Sequence, residues 1–559
     1  MTDNKMDTHT LVDSNHIKPT IVSNGNISNN SHRTQQHDIV QMQMETQTTP
    51  TTIQSVNNTS IHKGKALRQV VAAFIANLGT INTGLAFGFS AVVIPQLQQS
   101  DSIIQIDENQ KSWIASLSSL STPVGCILSG WMMDRFGRKK TLLLTEIPLI
   151  FGWLLISMAT DIRMIYGGRL LVGLGSGMVG APARVYTSEV TQPHLRGMLG
   201  ALASVGISFG VLSQYILGTF LRWQMLSAIS AIIPIAAFIF MCLMPESPNY
   251  LVSRSKSDKA LKSLHKLRGS KCNIQHEVDH LKQFTLKTQA TARKPTFKET
   301  ISALLSPAAM KPFGILVTYF MLYQFSGVNS LTFYAVDIFK ISGSDFDPNY
   351  CTIFMGGFRL MFTIIACISM RRCGRRPLTF ISSIGCGTSL IGLGLYLLYK
   401  FRLEQSNPDA EMPAKWFPVL CLFAFTICCT MGYLVVPWVM IGELYPQKVR
   451  GIVGGMTTFC AHSFVFIVVK TYPKLTHALE YHGTFLLYGS ISVAATVFYY
   501  FYLPETKGRT LQEIEDYFSG RTTTLKAKKT ATASKFNINL NEAAKEQTLK
   551  IEKEKLLLA

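Results

Sequence analysis

The sequence predicts an all-α integral membrane protein, with twelve transmembrane helices in two homologous six-helix halves. Three observations carry that expectation. With 47% hydrophobic and 15% charged residues among 559, the chain is too apolar for an ordinary multidomain soluble protein. Its charges gather in short stretches between apolar runs of about 20 residues, the length that crosses roughly 30 Å of hydrocarbon. Three loop motifs also recur in the same order, six runs apart.

Residues 1–66 are rich in Ser, Thr, Asn and Gln and have no apolar period, so a disordered tail is expected. The basic-then-apolar pattern of a secretory signal is missing, and the first apolar run is expected to stay in the mature chain. Lys63, Lys65 and Arg68 argue for a cytosolic tail, which would leave the sequons at Asn26, Asn29, Asn57 and Asn58 unused. Six spans follow at about 68–96, 112–133, 141–160, 164–186, 198–219 and 223–244, a first half over 67–251. The connection 252–311 holds 13 Lys and Arg against 4 Asp and Glu. It reads as a cytosolic linker with short helices, one around Asp258–Leu267, able to lie on anionic headgroups. Six more spans, at about 312–336, 350–369, 377–400, 416–440, 452–470 and 484–503, make a second half over 312–517. The Lys-rich stretch 518–559 reads as a second cytosolic tail.

Alternate loops agree on one orientation. Arg135, Arg138, Lys139, Lys140, Arg196, Arg371, Arg372, Arg375, Arg376, Lys448 and Arg450 fall on one side. Loops on the other side are mixed or acidic, with Asp101, Asp107 and Glu108 beside Lys111, and Asp345 and Asp347 after Lys340. Basic loops face the cytosol, so both termini are expected there. The same loops account for the net charge of +20, which points to the lipid bilayer rather than nucleic acid as partner. Most of the eleven cysteines lie inside apolar runs without CxxC or Cys/His spacing, so they read as packing groups; no metal or cofactor is expected.

The repeat is specific. Gly130–Lys140 after span two is echoed by Met370–Arg376 after span eight. Glu189–Gly197 after span four is echoed by Glu443–Gly451 after span ten, and Pro245-Glu246-Ser247-Pro248 by Pro504-Glu505-Thr506-Lys507. Three motifs in register imply two halves related by an axis along the membrane normal.

On these motifs the chain resembles the sugar porter family of the major facilitator superfamily, and within it the insect facilitated trehalose transporters. The likeness covers about residues 65–517: GxxxDRxGRK at 130–139, PESPxxL at 245–251, QxSGxNxxxxY at 324–334, PWxxxGELxPxxxRG at 437–451 and PETKGRTLxEIE at 504–515. It implies a carrier rather than an enzyme. The expected activity is facilitated (uniport) transport of a sugar, trehalose or a hexose, across the plasma membrane by alternating access. Substrate would sit between the halves near mid-membrane, where helices break at Gly and Pro.

A sugar offers hydroxyls and no charge, so its site needs neutral donor–acceptor groups beside an aromatic face. Gln324 and Asn329, five apart on span seven, supply two amides, and Trp438 on span ten supplies a ring. By resemblance these three are sugar contacts, and Phe333 and Tyr334 take the outer-gate aromatic positions. Gly432 and Pro437 flank an expected break in span ten beside the site. The plainer alternative is that the amides only bridge helices. On the basic side, Asp134, Arg135, Arg138, Glu189, Arg196, Glu246, Glu443, Arg450 and Glu505 form a candidate inner gate. The expectation is pairing across the halves when the site opens outward and separation when it opens inward, with Glu and Arg seven apart in each half. The alternative is a set of solvated charges worth under about 1 kcal/mol each. Glycines 79, 84 and 88 on span one and 173, 175, 177 and 180 on span four suit both close packing and flexing.

Coupling is read from an absence. The position where proton-coupled relatives carry Asp is Ser90, and spans seven, eight, ten and eleven have no carboxylate near their middles. His462 on span eleven reads as a packing group. No GxxxxGK[ST] is present, so passive transport is expected. Departures from the family pattern at Ser204, Tyr323, Leu434 and the pair Ala461-His462 make the pocket less polar, and Arg371 stands where the second-half loop motif has an acid. They leave two alternatives open: a transporter-like sugar sensor, and a carrier of a non-sugar polar solute.

Overall fold

A computed structural model of the chain describes residues 66–100, 102–269, 274–291, 297–407, 412–446 and 449–522. The expected N-terminal tail with its four sequons, and the C-terminal stretch past 522, lie outside the described residues. Every described element is helical or a turn. Eight described helices are long and apolar enough to cross a membrane, and the bent pair Lys298–Leu304 and Pro307–Phe325 makes a ninth. Arg450–Tyr502 is two spans meeting at Glu480, whose φ of 55° no helix continues through. Glu108–Phe136 and Ile162–Val190 are long as well, but their Ser, Gly and Arg content dilutes the hydropathy. Together these make the twelve spans of the major facilitator architecture.

In the first half the spans are Ala66–Leu97, Glu108–Phe136, Arg138–Ser157, Ile162–Val190, Leu202–Phe220 and Trp223–Leu243. Span two starts in a capping box: Asp107 accepts from the Gln110 N–H, and the Gln110 side chain accepts from the Asp107 N–H. The fifth span, expected from 198, is preceded by a separate short helix, Pro193–Leu199. Glycines on spans one and four mostly serve close approach. A Cβ on Gly84 would stand 2.0 Å from the Ile207 carbonyl oxygen, and one on Gly173 would stand 2.1 Å from that of Ser118. Spans one and five, and two and four, therefore touch backbone to backbone. Gly180 has open space around it.

In the second half, spans seven and ten are broken. Span seven runs as Pro307–Phe325, Val328–Phe333 and Ala335–Ser342, and span ten as Phe417–Met431 and Val436–Leu444. Span eight is Pro348–Cys373 and span nine Arg376–Ser406. Span two packs along span eleven, and span five along span eight, as the seams between halves.

The linker folds as Pro248–Ser253, Ser257–Arg268, Ile274–Thr291 and Phe297–Leu304, so the helix expected around 258–267 is present. Arg268 ties it to the first half: its Nη1 donates to the Val190 carbonyl, and its Nη2 meets Glu277 at 2.9 Å. After span twelve, Leu511–Phe518 begins in a Thr510–Glu513 capping box and buries Ile514 and Phe518 beside spans seven and ten. The faces of the spans that meet no neighbour expose Val124, Ile127, Ile232, Ile239, Phe354 and Val497, the apolar shell a bilayer requires.

Candidate functional site

The breaks decide where the site can form. Span seven cannot continue past Phe325 because Ser326 ends its helical turn and Gly327 adopts φ 83°. Only glycine takes that conformation cheaply, and a Cβ there would also stand 2.4 Å from the Tyr488 ring. The turn brings Gln324 and Asn329 face to face: the Asn329 Nδ2–H donates to the Gln324 Oε1, with both residues buried. The Gln324 nitrogen and Asn329 oxygen are left to meet another partner, which suits a polyol. Trp438, just past the break in span ten, is partly buried against Phe320 (ring centroids 4.9 Å apart) and His462 (5.6 Å). His462 donates its Nδ1–H to the Thr458 carbonyl at 2.9 Å. Gly432 does not face this group. A Cβ on it would meet the Leu378 carbonyl oxygen at 2.3 Å, so it is the point where span ten crosses span nine.

Phe333 and Tyr334 lie on the face opposite the basic loops, in a plug that joins the halves. Phe333 packs on Phe87 of span one, and Tyr334 stacks on Tyr472 and donates to the Val469 carbonyl. Above them Lys111 of span two meets Asp337 of span seven at 3.0 Å, an ionic contact rather than an aligned hydrogen bond. Lys470 of span eleven bonds Ser112 at 2.8 Å and sits 3.7 Å over the Trp113 ring. Nothing in the spacing of Lys111 and Asp337 along the sequence marks them as partners.

On the basic face the candidate gate residues divide into two copies of one network. Arg138 bonds Glu189 at 3.0 Å, Glu189 also accepts from the Ser247 hydroxyl, and Glu246 accepts from the backbone N–H groups of Arg138 (3.0 Å) and Lys139 (2.9 Å). In the second half Arg375 pairs with Glu443, Glu443 accepts from Thr506 at 2.6 Å, and Glu505 accepts from the N–H groups of Arg375 and Arg376 at 3.0 Å. Gly137 (φ 96°) and Gly374 (φ 93°) hold the two loops, and a Cβ on either would stand 2.7 Å from the Glu246 or Glu505 carboxylate.

These pairs form inside each half, whereas the expectation concerned pairing across the halves in the outward-open state. Among the described residues, the ion pair that crosses the halves at the helix ends is Lys111–Asp337, on the opposite face. The arginines seven residues past the two acids are engaged elsewhere: Arg196 is exposed, and Arg450 bonds the Tyr445 carbonyl. Each acid is taken by an arginine from the preceding loop motif instead. Asp134 and Arg135 are exposed, with Arg135 over the Trp131 ring and Arg254 bonded to the Asp134 carbonyl. Ser247 and Thr506 went unnoticed, although a hydroxyl follows Pro-Glu in both copies of that motif.

Three ionisable groups inside the spans were also passed over. Arg169 is fully buried and donates to the carbonyls of Ile114 and Ala86 and to the hydroxyls of Ser90 (2.8 Å) and Ser118. Ser90 thus serves as a neutral acceptor for this cation. Glu146 of span three is buried where a Cβ on Gly79 would meet its Oε1 at 2.5 Å, so it is a membrane-interior carboxyl packed between spans one, three and four. Arg359 is buried near the middle of span eight. A charged letter inside an apolar run is the signal for each.

Known proteins match along most of the chain. The family model described as "Sugar (and other) transporter" matches residues 72–518. The facilitated trehalose transporter Tret1 of Bombyx mori is 34% identical over 447 residues, covering 80% of this chain and 86% of that protein. The Aedes aegypti protein of the same name is 33% identical over 454 residues; this chain spans about half of that relative's length, 55%. Among solved structures, the xylose transporter XylE of E. coli in a partially occluded inward-open conformation aligns with a TM-score of 0.65 at 19% identity, over 80% of this chain and all of that one. XylE bound to 6-bromo-6-deoxy-D-glucose aligns at 0.62 and 21%, over 80% of this chain and 99% of that one. A family model spanning more than half the chain, with relatives at a third identity, places this protein in the sugar transporter family.

Proposed function

We propose that this protein is a passive sugar carrier of the plasma membrane, moving trehalose or a hexose by alternating access, with its basic face and both termini in the cytosol. The observation that carries the reading is the Gln324–Asn329 amide pair at the break of span seven, with Trp438 of span ten packed on Phe320, one helical turn before Gln324. It offers neutral hydrogen-bonding groups and a ring together, the chemistry a sugar needs. The trehalose-transporting relatives support the substrate class. Contacts between the halves near Lys111 and Asp337, with ion pairs on the basic face kept inside each half, support closure toward the outside and opening toward the cytosol.

On this reading the Glu189 and Glu443 networks hold each half rigid while the halves rock, and the 67–251 and 312–517 units move about the linker. Passive transport is supported by the neutral Ser90–Arg169 contact. The test is uptake of radiolabelled trehalose and glucose in oocytes, with surface expression matched and Asn329→Ala as control. Saturable uptake that the control loses supports the carrier; no uptake of either sugar overturns it.

A further inference from the structure

We infer that a recess beside Arg359 binds a small monovalent anionic group, supplied either as chloride from solution or as the carboxylate of a solute. This inference rests on the carrier reading only for its uptake arm.

Arg359 lies near mid-membrane on span eight and is 7% exposed. Its Nη1 donates to the Thr332 hydroxyl at 3.1 Å, and its buried Nε has no protein partner. No carboxylate pairs with it among the described residues; Asp337, the acid of span seven, is taken by Lys111. A cation left alone in low dielectric is unfavourable, and a guanidinium presents five donors of which protein groups use few here. Water can satisfy those donors but leaves the charge uncompensated.

The recess itself is about 20 Å³, room for one small ion or one to two waters. Besides Arg359 its polar lining is Tyr215, Thr332, Thr426 and Thr430, whose hydroxyls all donate to backbone carbonyls, so the donors left for an anion are those of Arg359. Tyr215 comes from the first half and donates to the Thr332 carbonyl at 2.9 Å, so the recess sits on the seam between halves. Val328, Leu331 and Thr332 line the recess from the short helix that also carries Asn329, so the two share an element of span seven. An anion held here would neutralise Arg359 where the seam must slide. Chloride would do so as a bound cofactor ion, and a sugar acid by bringing its own charge.

The test uses the full-length protein, purified in detergent and then reconstituted in liposomes. Melting temperature is measured in sodium chloride and in sodium isethionate, a bulkier anion, at equal ionic strength. Uptake of labelled trehalose is measured in both salts, and uptake of labelled glucuronate in isethionate. For chloride, the melting point is higher in chloride by about 3 °C or more, and trehalose uptake falls about fivefold or more in isethionate. For a solute carboxylate, glucuronate is carried and competes with trehalose, and the two salts melt alike. Either effect should vanish in Arg359→Gln and persist in Arg359→Lys. Equal melting in both salts with no glucuronate uptake or competition means the recess holds water only, and overturns the inference even if Arg359→Gln fails to fold. Trehalose uptake with no anion effect sinks the anion site alone. Chloride-dependent melting without uptake of any sugar sinks the carrier reading alone.

Discussion

Lys111 Nζ and Asp337 Oδ2 lie 3.0 Å apart, with only 14% and 15% of their side chains exposed, and join span two of the first half to span seven of the second. A shielded ion pair of this kind contributes to the state in which it exists, here the one closed on the Lys111 face. Removing one partner should cost that state about 2 kcal/mol, between the ranges of exposed and fully buried ion pairs. Asp337→Asn is therefore expected to raise labelling of a cysteine placed at Phe333 from outside by about tenfold or more. A Lys111→Asp/Asp337→Lys exchange should restore protection; if it labels like the single variant, the pair is not a latch.

Glu443 accepts from both Arg375 and Thr506, so its loss leaves a half-buried guanidinium without its counter-charge and a hydroxyl without its acceptor. Glu443→Gln is expected to lower uptake at matched surface expression by about tenfold or more, and Thr506→Val by a few-fold. Glu189→Gln and Ser247→Ala should repeat this order, because the first half carries the same arrangement. Unchanged uptake in Glu443→Gln would show that these charges only decorate the loops.

Asn329→Ala removes one amide of the facing pair and leaves Gln324 with an unmet oxygen, a loss of about 1–3 kcal/mol. The expected result is a five- to hundredfold fall, roughly, in uptake at low sugar concentration. Trp438→Leu keeps apolar bulk but removes the ring, and should raise the half-saturating concentration more than it lowers maximal uptake. Were either variant to transport normally, the site would have to lie elsewhere.

Gly137 and Gly374 each combine positive φ with a carboxylate 2.7 Å from where a Cβ would go. Alanine at either position should destabilise its loop by about 1–3 kcal/mol, measured as a lower melting temperature and lower surface expression. Gly130→Ala is the control, since nothing lies within 4 Å of its Cβ position, and it should behave as wild type.

Glu146 bears on coupling. It packs within the first half against span one, with no cation paired to it among the described residues. An amide fills the same space without needing a cationic partner, so Glu146→Gln should keep uptake within about twofold at every pH from 5 to 8. If an imposed proton gradient drives uptake in wild type but not in this variant, transport is coupled and the passive reading fails.

How much was legible before the fold was known differed by feature. Twelve spans and the twofold repeat came from hydrophobic run length and from the Arg138/Arg375 and Glu246/Glu505 motifs, which are local in sequence. Partner choice was not legible, because Glu189 bonds an arginine 51 residues earlier in its own half, a contact no local spacing marks. Spacing along one helix end says nothing about which loop folds over it. Gly432 was misassigned for the same reason: a glycine in a broken helix marks a close approach, and only the fold shows that span nine makes it. Arg359 and Glu146 stand out as charges within apolar runs, but a run does not show which neighbouring spans surround such a group.

Glu480 turns span eleven straight into span twelve with no intervening loop. Two rods sharing one elbow cannot slide independently. Any tilt of Lys470 away from Ser112 must therefore drag the outermost helix of that bundle with it, and a swelling of the lipid-facing contour should accompany each turnover. A bilayer that resists such widening, being stiffer or thicker, would then slow this carrier without touching its binding pocket.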